Sequence, residues 1–215
     1  MKEDLKPHMA LSDRFLTAVT FAATMYRDQV RKSTDIPYIC HPLGTAASLI
    51  EVGGDEDQVI GALLHDVAED CGGEPRLVEI QQIFGERVAA IVRGCSDSIA
   101  PSEGEKAPWR ERKAAHLQNL YEVSEDTLIV TAADKLNNAR AIATDLQTSG
   151  EKVWERFNAD RDSILWYYNT MLKILTGRDV TPLLFNPLRS AIRIMDGYGD
   201  GKCVNLKLLG NPVKL

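Results

Sequence analysis

Apolar residues recur at helical spacing along almost the whole chain, and this period leaves little room for a sheet. Residues 10–30 show it first, with Phe15, Ala18, Val19, Ala22, Ala23 and Met25 on one side. Ser12 or Asp13 is placed to cap that helix. The polar stretch that follows ends in Ile36-Pro37-Tyr38, a loop whose residue before the proline is extended. His41-Pro42 opens a second helix, with Pro42 tolerated in its first turn, and Gly53-Gly54 stops it after Glu51. Asp55 caps a third helix over 56–70, which Gly72-Gly73 ends. Further helices are expected over 75–84, 86–94, 109–121, 127–146 and 153–176. The loop 96–108 is rich in Ser, Gly, Pro and charge, and its length suits a lid or a bulge. Beyond Gly177 the pattern is broken by Pro182, Pro187 and Gly197-Tyr198-Gly199-Asp200-Gly201, leaving a short helix at 191–195 and a short strand at 204–209. The expectation is an all-α helical bundle over residues 1–176 with a short irregular C-terminal extension, residues 177–215, packed on it.

A chain of 215 residues suits one domain that buries its own core. No stretch approaches the ~20 apolar residues of a membrane span, and Met1 to Pro7 lacks an apolar signal region. The chain therefore reads as cytoplasmic, with no membrane partner and with its four cysteines as free thiols. A net charge of −6 argues against nucleic acid as a partner. It leaves room for a phosphorylated small molecule, which needs only a local cluster of Arg and Lys. Homo-oligomerisation stays open.

The chemistry is concentrated in Ala62-Leu63-Leu64-His65-Asp66-Val67-Ala68-Glu69-Asp70. At about 100° per residue, with His65 at 0°, Glu69 falls near 40°, Asp66 near 100° and Asp70 near 140°. Ile60, Leu63, Leu64 and Val67 fill the opposite face. Three carboxylates on one arc repel each other unless solvent or a cation compensates. A solvated acidic face is the plain alternative, but a His-Asp dyad beside the core weakens it. A second helix carries Asp134-Lys135-Leu136-Asn137-Asn138 within an apolar pattern, with Asp134 and Asn138 on one face. An aspartate in such surroundings pairs with a base or binds metal. The third element is Tyr38-Ile39-Cys40-His41-Pro42, whose histidine taken alone would be a cap or a core residue. Together the three supply H…HD…D in chain order.

That order resembles the HD phosphohydrolases. Gln29-Val30-Arg31-Lys32, Pro37-Tyr38-Ile39-Cys40-His41-Pro42, the segment 62–70 and Ala133-Asp134-Lys135-Leu136-Asn137-Asn138 resemble the hydrolase domain of RelA/SpoT-type alarmone enzymes. The free-standing small alarmone hydrolases are most similar, over about residues 10–175. The resemblance implies an all-α HD-domain bundle that removes the 3′-pyrophosphate of (p)ppGpp, usually with manganese. It implies His41, His65, Asp66 and Asp134 as ligands of one divalent ion. Glu69 and Asp70 match the family's catalytic acidic pair, and Arg31, Lys32 and Asn138 match positions that hold the nucleotide. Trp109 and the basic residues after it, with Lys135 and Arg140, stand open between phosphate contact and ordinary ion pairing. Two rival readings remain. One is an HD hydrolase acting on (p)ppApp, on the NADPH 2′-phosphate or on another nucleotide. The other is a non-catalytic alarmone-binding module.

Overall fold

Side-chain caps start four of the helices in the computed structural model, which describes residues 11–96 and 107–197. Helix α1 (Asp13–Met25) starts where Ser12 accepts from the Arg14 amide. Helix α2 (Cys40–Glu51) follows the loop that carries Arg31 and Lys32. A reciprocal capping box, in which Asp55 and Gln58 each accept from the other's backbone, opens α3 (Glu56–Leu64). Then come α4 (Val67–Asp70), α5 (Glu74–Phe84), α6 (Glu86–Cys95) and α7 (Trp109–Asn119). Ser124 caps α8 (Glu125–Ser149), and a 3₁₀ segment, Gly150–Arg156, leads away from it. Asp160 caps α9 (Arg161–Gly177), and α10 (Pro182–Gly197) closes the described chain.

Helix α8 is the axis of the bundle, with α2, α3, α6, α9 and α10 packed around it. Its buried residues, among them Leu128, Val130, Ala132, Leu136, Ala139 and Leu146, come from nearly every side of the helix. That is why its apolar pattern is broad rather than a stripe. Among the described residues the only β-type pairing is an isolated bridge between Val30 and Pro37. The fold is all-α, as expected.

Three expectations change. Residues 56–70 are not one helix: it breaks at His65–Asp66. The His65 Nδ1 donates to the Ala62 carbonyl at 2.8 Å, the acceptor a continuous helix offers to the Asp66 amide. Asp66 adopts φ −95°, ψ −6°, and α4 restarts after it. The helix expected over 153–176 is two elements, because Asp160 recaps the chain after the 3₁₀ segment. The irregular texture after Gly177 hides a regular helix. Pro187 sits inside α10, and Leu183, whose carbonyl loses its helical donor, is 62% exposed, so solvent can satisfy it. Leu184, Leu188, Ala191, Ile192 and Met195 form the buried face that holds α10 against α8 and α9. The strand expected over 204–209 and most of the loop 96–108 lie outside the described residues.

Candidate active site

The break at His65–Asp66 has a direct geometric effect. On a regular helix these neighbours diverge by about 100°. Here His65 Nε2 lies 3.0 Å from Asp66 Oδ2. His41, in the first turn of α2, brings its Nε2 to 3.2 Å from His65 Nε2 and 3.6 Å from Asp66 Oδ2. Asp134, from the middle of α8, places Oδ1 3.2 Å from His41 Nε2 and 3.7 Å from His65 Nε2. His41, His65 and Asp134 are buried; Asp66 is half-buried.

Both imidazoles are oriented from behind. His41 Nδ1 meets Asn137 Oδ1 at 2.7 Å, and His65 Nδ1 meets the Ala62 carbonyl. With acceptors at both Nδ1 atoms, the protons belong there, and two Nε2 lone pairs face each other beside two carboxylates. Electron pairs converging in this way favour a cation between them. Neighbouring ligands around an ion with bonds of about 2.1 Å sit about 3 Å apart, so His41, His65 and Asp66, whose ligand atoms all lie within 4.8 Å of one another, are spaced to share one divalent ion, with Asp134 Oδ1 beside the two imidazoles. Without it, a proton is the substitute. Burial disfavours charge on His65, yet Asp66 and Asp134 lift its pKa well above the ordinary value. His41 is raised as well, against its burial, chiefly by Asp134 and Asp66. Both carboxylates stay well below theirs although burial opposes it: Asp66 chiefly through His65, Asp134 chiefly through Lys135.

The neighbours of the four groups were only partly visible in the sequence. Tyr38 donates its hydroxyl to Asp66 Oδ2. Lys135 Nζ holds Asp134 Oδ2 at 2.6 Å, and Asn138 Nδ2 donates to Asp134 Oδ1 at 2.6 Å. Asn137, the partner of His41, was missed. Its signal was register, since it stands three residues after Asp134 on α8.

Three members of this cluster, His41, Asp66 and Asp134, line a cavity of about 640 Å³, within the range of small-molecule sites. Arg31, Lys32 and Asn138 line it together with His41, Asp66 and Asp134. Arg31 donates to Asn138 Oδ1 at 2.9 Å, and Lys32 to Asn158 Oδ1 at 2.7 Å. Lys113, Lys135, Arg140 and Arg156 extend the cationic wall, and Trp109 is part of the lining. Glu69 and Asp70 are not brought into that lining. They stand on α4 just past the dyad, Glu69 half-buried and Asp70 exposed.

Residues 18–165 match the HD domain family. The guanosine-3′,5′-bis(diphosphate) 3′-pyrophosphohydrolase MESH1 of Danio rerio is 34% identical over 147 residues, 66% of this chain and 77% of that protein. Its Homo sapiens counterpart is 35% identical over 130 residues, 59% of this chain and 68% of the relative. A solved structure described as a metazoan orthologue of SpoT that hydrolyses ppGpp and plays a role in starvation responses superposes with a TM-score of 0.69. It is 29% identical in sequence, and the match covers 86% of this chain and 97% of that one.

Proposed function

We propose that this chain, which belongs to the HD domain family, hydrolyses the 3′-pyrophosphate of guanosine alarmones, converting (p)ppGpp to GDP or GTP and pyrophosphate. The observation that carries this reading is the convergence of two imidazole Nε2 atoms and two carboxylates beside a cavity lined with cations.

His41, His65, Asp66 and Asp134 would hold the ion. Mixed nitrogen and oxygen donors with no thiolate suit Mn²⁺. A divalent ion bound there supplies Lewis acidity toward phosphorus and acidifies water. The chain's own residues do the rest. Arg31 and Lys32, which line the cavity, bind the diphosphate and offset its charge. Asn138, bridging Arg31 and Asp134, ties substrate binding to the ligand set. Glu69, one turn past His65, takes the proton of the attacking water, and Asp70 positions it or protonates the leaving ribose oxygen. The water oxygen bonds to phosphorus, the bond to the 3′-oxygen breaks, and that oxygen gains a proton. The catalytic unit in this reading is residues 1–176. Residues 177–215 are an added element, whose helix α10 lies on α8.

Phosphorus NMR of the products from (p)ppGpp with Mn²⁺, before and after EDTA, tests the proposal. Metal-dependent release of pyrophosphate is expected. Release of orthophosphate, or no release at all, would overturn it.

A further inference from the structure

The cavity holds a carboxylate that the hydrolytic chemistry does not use. Among the described residues that line it, the acids are Asp66, Asp134 and Asp145. The first two face the imidazoles. Asp145 does not: it lies three turns further along α8, about 16 Å down the helix axis from Asp134. Asp134, Asn138, Ala141 and Asp145 stand at i, i+4, i+7 and i+11, so one stripe of α8 lines the cavity from the ligand cluster to Asp145.

A carboxylate is a poor neighbour for phosphates, and six cationic side chains already line this cavity: Arg31, Lys32, Lys113, Lys135, Arg140 and Arg156. Its place is beside a part of the ligand that donates hydrogen bonds. Asp145 is also held for such a task. Arg156 Nη1 binds its Oδ2 at 2.9 Å, which orients the group while its remaining lone pairs stay available. The side chain is 39% exposed, at the wetter part of the wall, and Phe157 beside Arg156 lends that wall an aromatic face.

We infer that Asp145 selects guanine, accepting hydrogen bonds from the base's N1–H and N2–H. These are the two adjacent donors on the guanine edge. Adenine presents there an acceptor nitrogen beside a single donor, and the carboxylate would face a lone pair. This inference rests on the nucleotide reading of the cavity and adds to it the choice of base. Sites built around such hydrogen bonds reject a ligand that cannot make them more strongly than apolar pockets reject a shape.

The test is calorimetric titration of EDTA-treated protein, where no turnover occurs, with the 3′,5′-bis(diphosphates) of guanosine, inosine and adenosine. The native chain is expected to bind the guanosine compound about tenfold or more tighter than the adenosine one. Inosine, which lacks the N2 donor, should fall between them. Asp145→Asn should weaken guanosine binding selectively and collapse the ratio, with Asp145→Leu as a second variant and the circular dichroism spectrum as the check on folding. Equal binding of guanosine and adenosine by the native chain would overturn the inference. So would an equal loss for all three ligands in the variants, which would assign Asp145 to holding Arg156. Turnover with Mn²⁺, measured separately, judges the hydrolase proposal: guanine-selective binding without turnover would sink that proposal and leave the role of Asp145 standing.

Discussion

Gly44→Ala tests whether the contact between α2 and the Asn137 amide behind His41 is as tight as the distances imply. Gly44 lies on α2 one turn after His41, and a Cβ built there would come within 2.3 Å of Asn137 Nδ2 and 3.2 Å of its Cγ. An ordinary contact is about 3.5 Å or more, so the amide must retreat by about 1 Å. That amide orients His41 through Nδ1, at 2.7 Å. The retreat breaks the bond, and if His41 holds the proposed ion, losing its partner typically costs 10- to 100-fold in metal affinity. Stability pulls the other way. Alanine favours a helix by up to about 1 kcal/mol over glycine, which offsets much of the strain in the metal-free protein. The expected result is a nearly unchanged melting temperature in EDTA together with Mn²⁺ binding weakened about 10- to 100-fold, measured by electron paramagnetic resonance titration. Asn137→Ala should weaken the metal comparably, and Gly44→Ala added to it should cost nothing further, because both act through one contact. Unchanged Mn²⁺ affinity in Gly44→Ala, or fully additive losses in the double variant, would refute the reasoning.

Three further outcomes are expected. Asp66→Ala should abolish turnover and Mn²⁺ binding together, and full activity in the purified variant would defeat the ligand assignment. Glu69→Gln should keep metal and substrate binding but hydrolyse slowly; the native rate in a single-turnover assay would remove Glu69 as the base. The metal-free protein should lose stability as the pH rises. The folded pKa of His65 is raised well above its ordinary value near 6.5, so its contribution is complete below that value and fades as pH climbs through the raised one. Mn²⁺ competes with that proton, so the melting shift on adding the ion should grow over the same window. A shift independent of pH above 6.5, followed by scanning calorimetry, would contradict this.

The periodic elements were legible because their signals are local. The capping box at Asp55 and Gln58, the Ser124 cap and the broad apolar pattern of α8 fix boundaries within a few residues. Two of the three places where the pattern misled turn on interactions that a sequence period does not record. At His65 a side chain takes over a backbone acceptor, and no period in the sequence records that. At Pro187 a local breaker is overridden by the buried face of α10 against α8, which only packing reveals. Of the site, the four groups around the proposed ion were readable because the resemblance assigns them by motif. Asn137 and Asp145 were not, since one acts through a neighbour and the other only through the wall it shares with the rest of α8.

Helix α8 therefore does more than bury the core. Asp134 belongs to the cluster with the two imidazoles, Asn138 binds Arg31 from the loop before α2, and Asp145 lines the same cavity three turns further along the helix. These groups are spaced by a rigid rise of about 1.5 Å per residue, so their separations cannot vary independently. The helix is fixed in turn by close approaches on two sides. Gly44 admits Asn137 against α2, and a Cβ at Gly94 on α6 would meet Thr127 at 2.6 Å. Sliding α8 by one residue would carry Asp134 away from both imidazoles and Asp145 away from Arg156 at the same time. Metal affinity and base preference should therefore fail together under changes that shift α8, and separately under changes to single side chains upon it. That pattern distinguishes one shared scaffold from two sites that happen to be near each other.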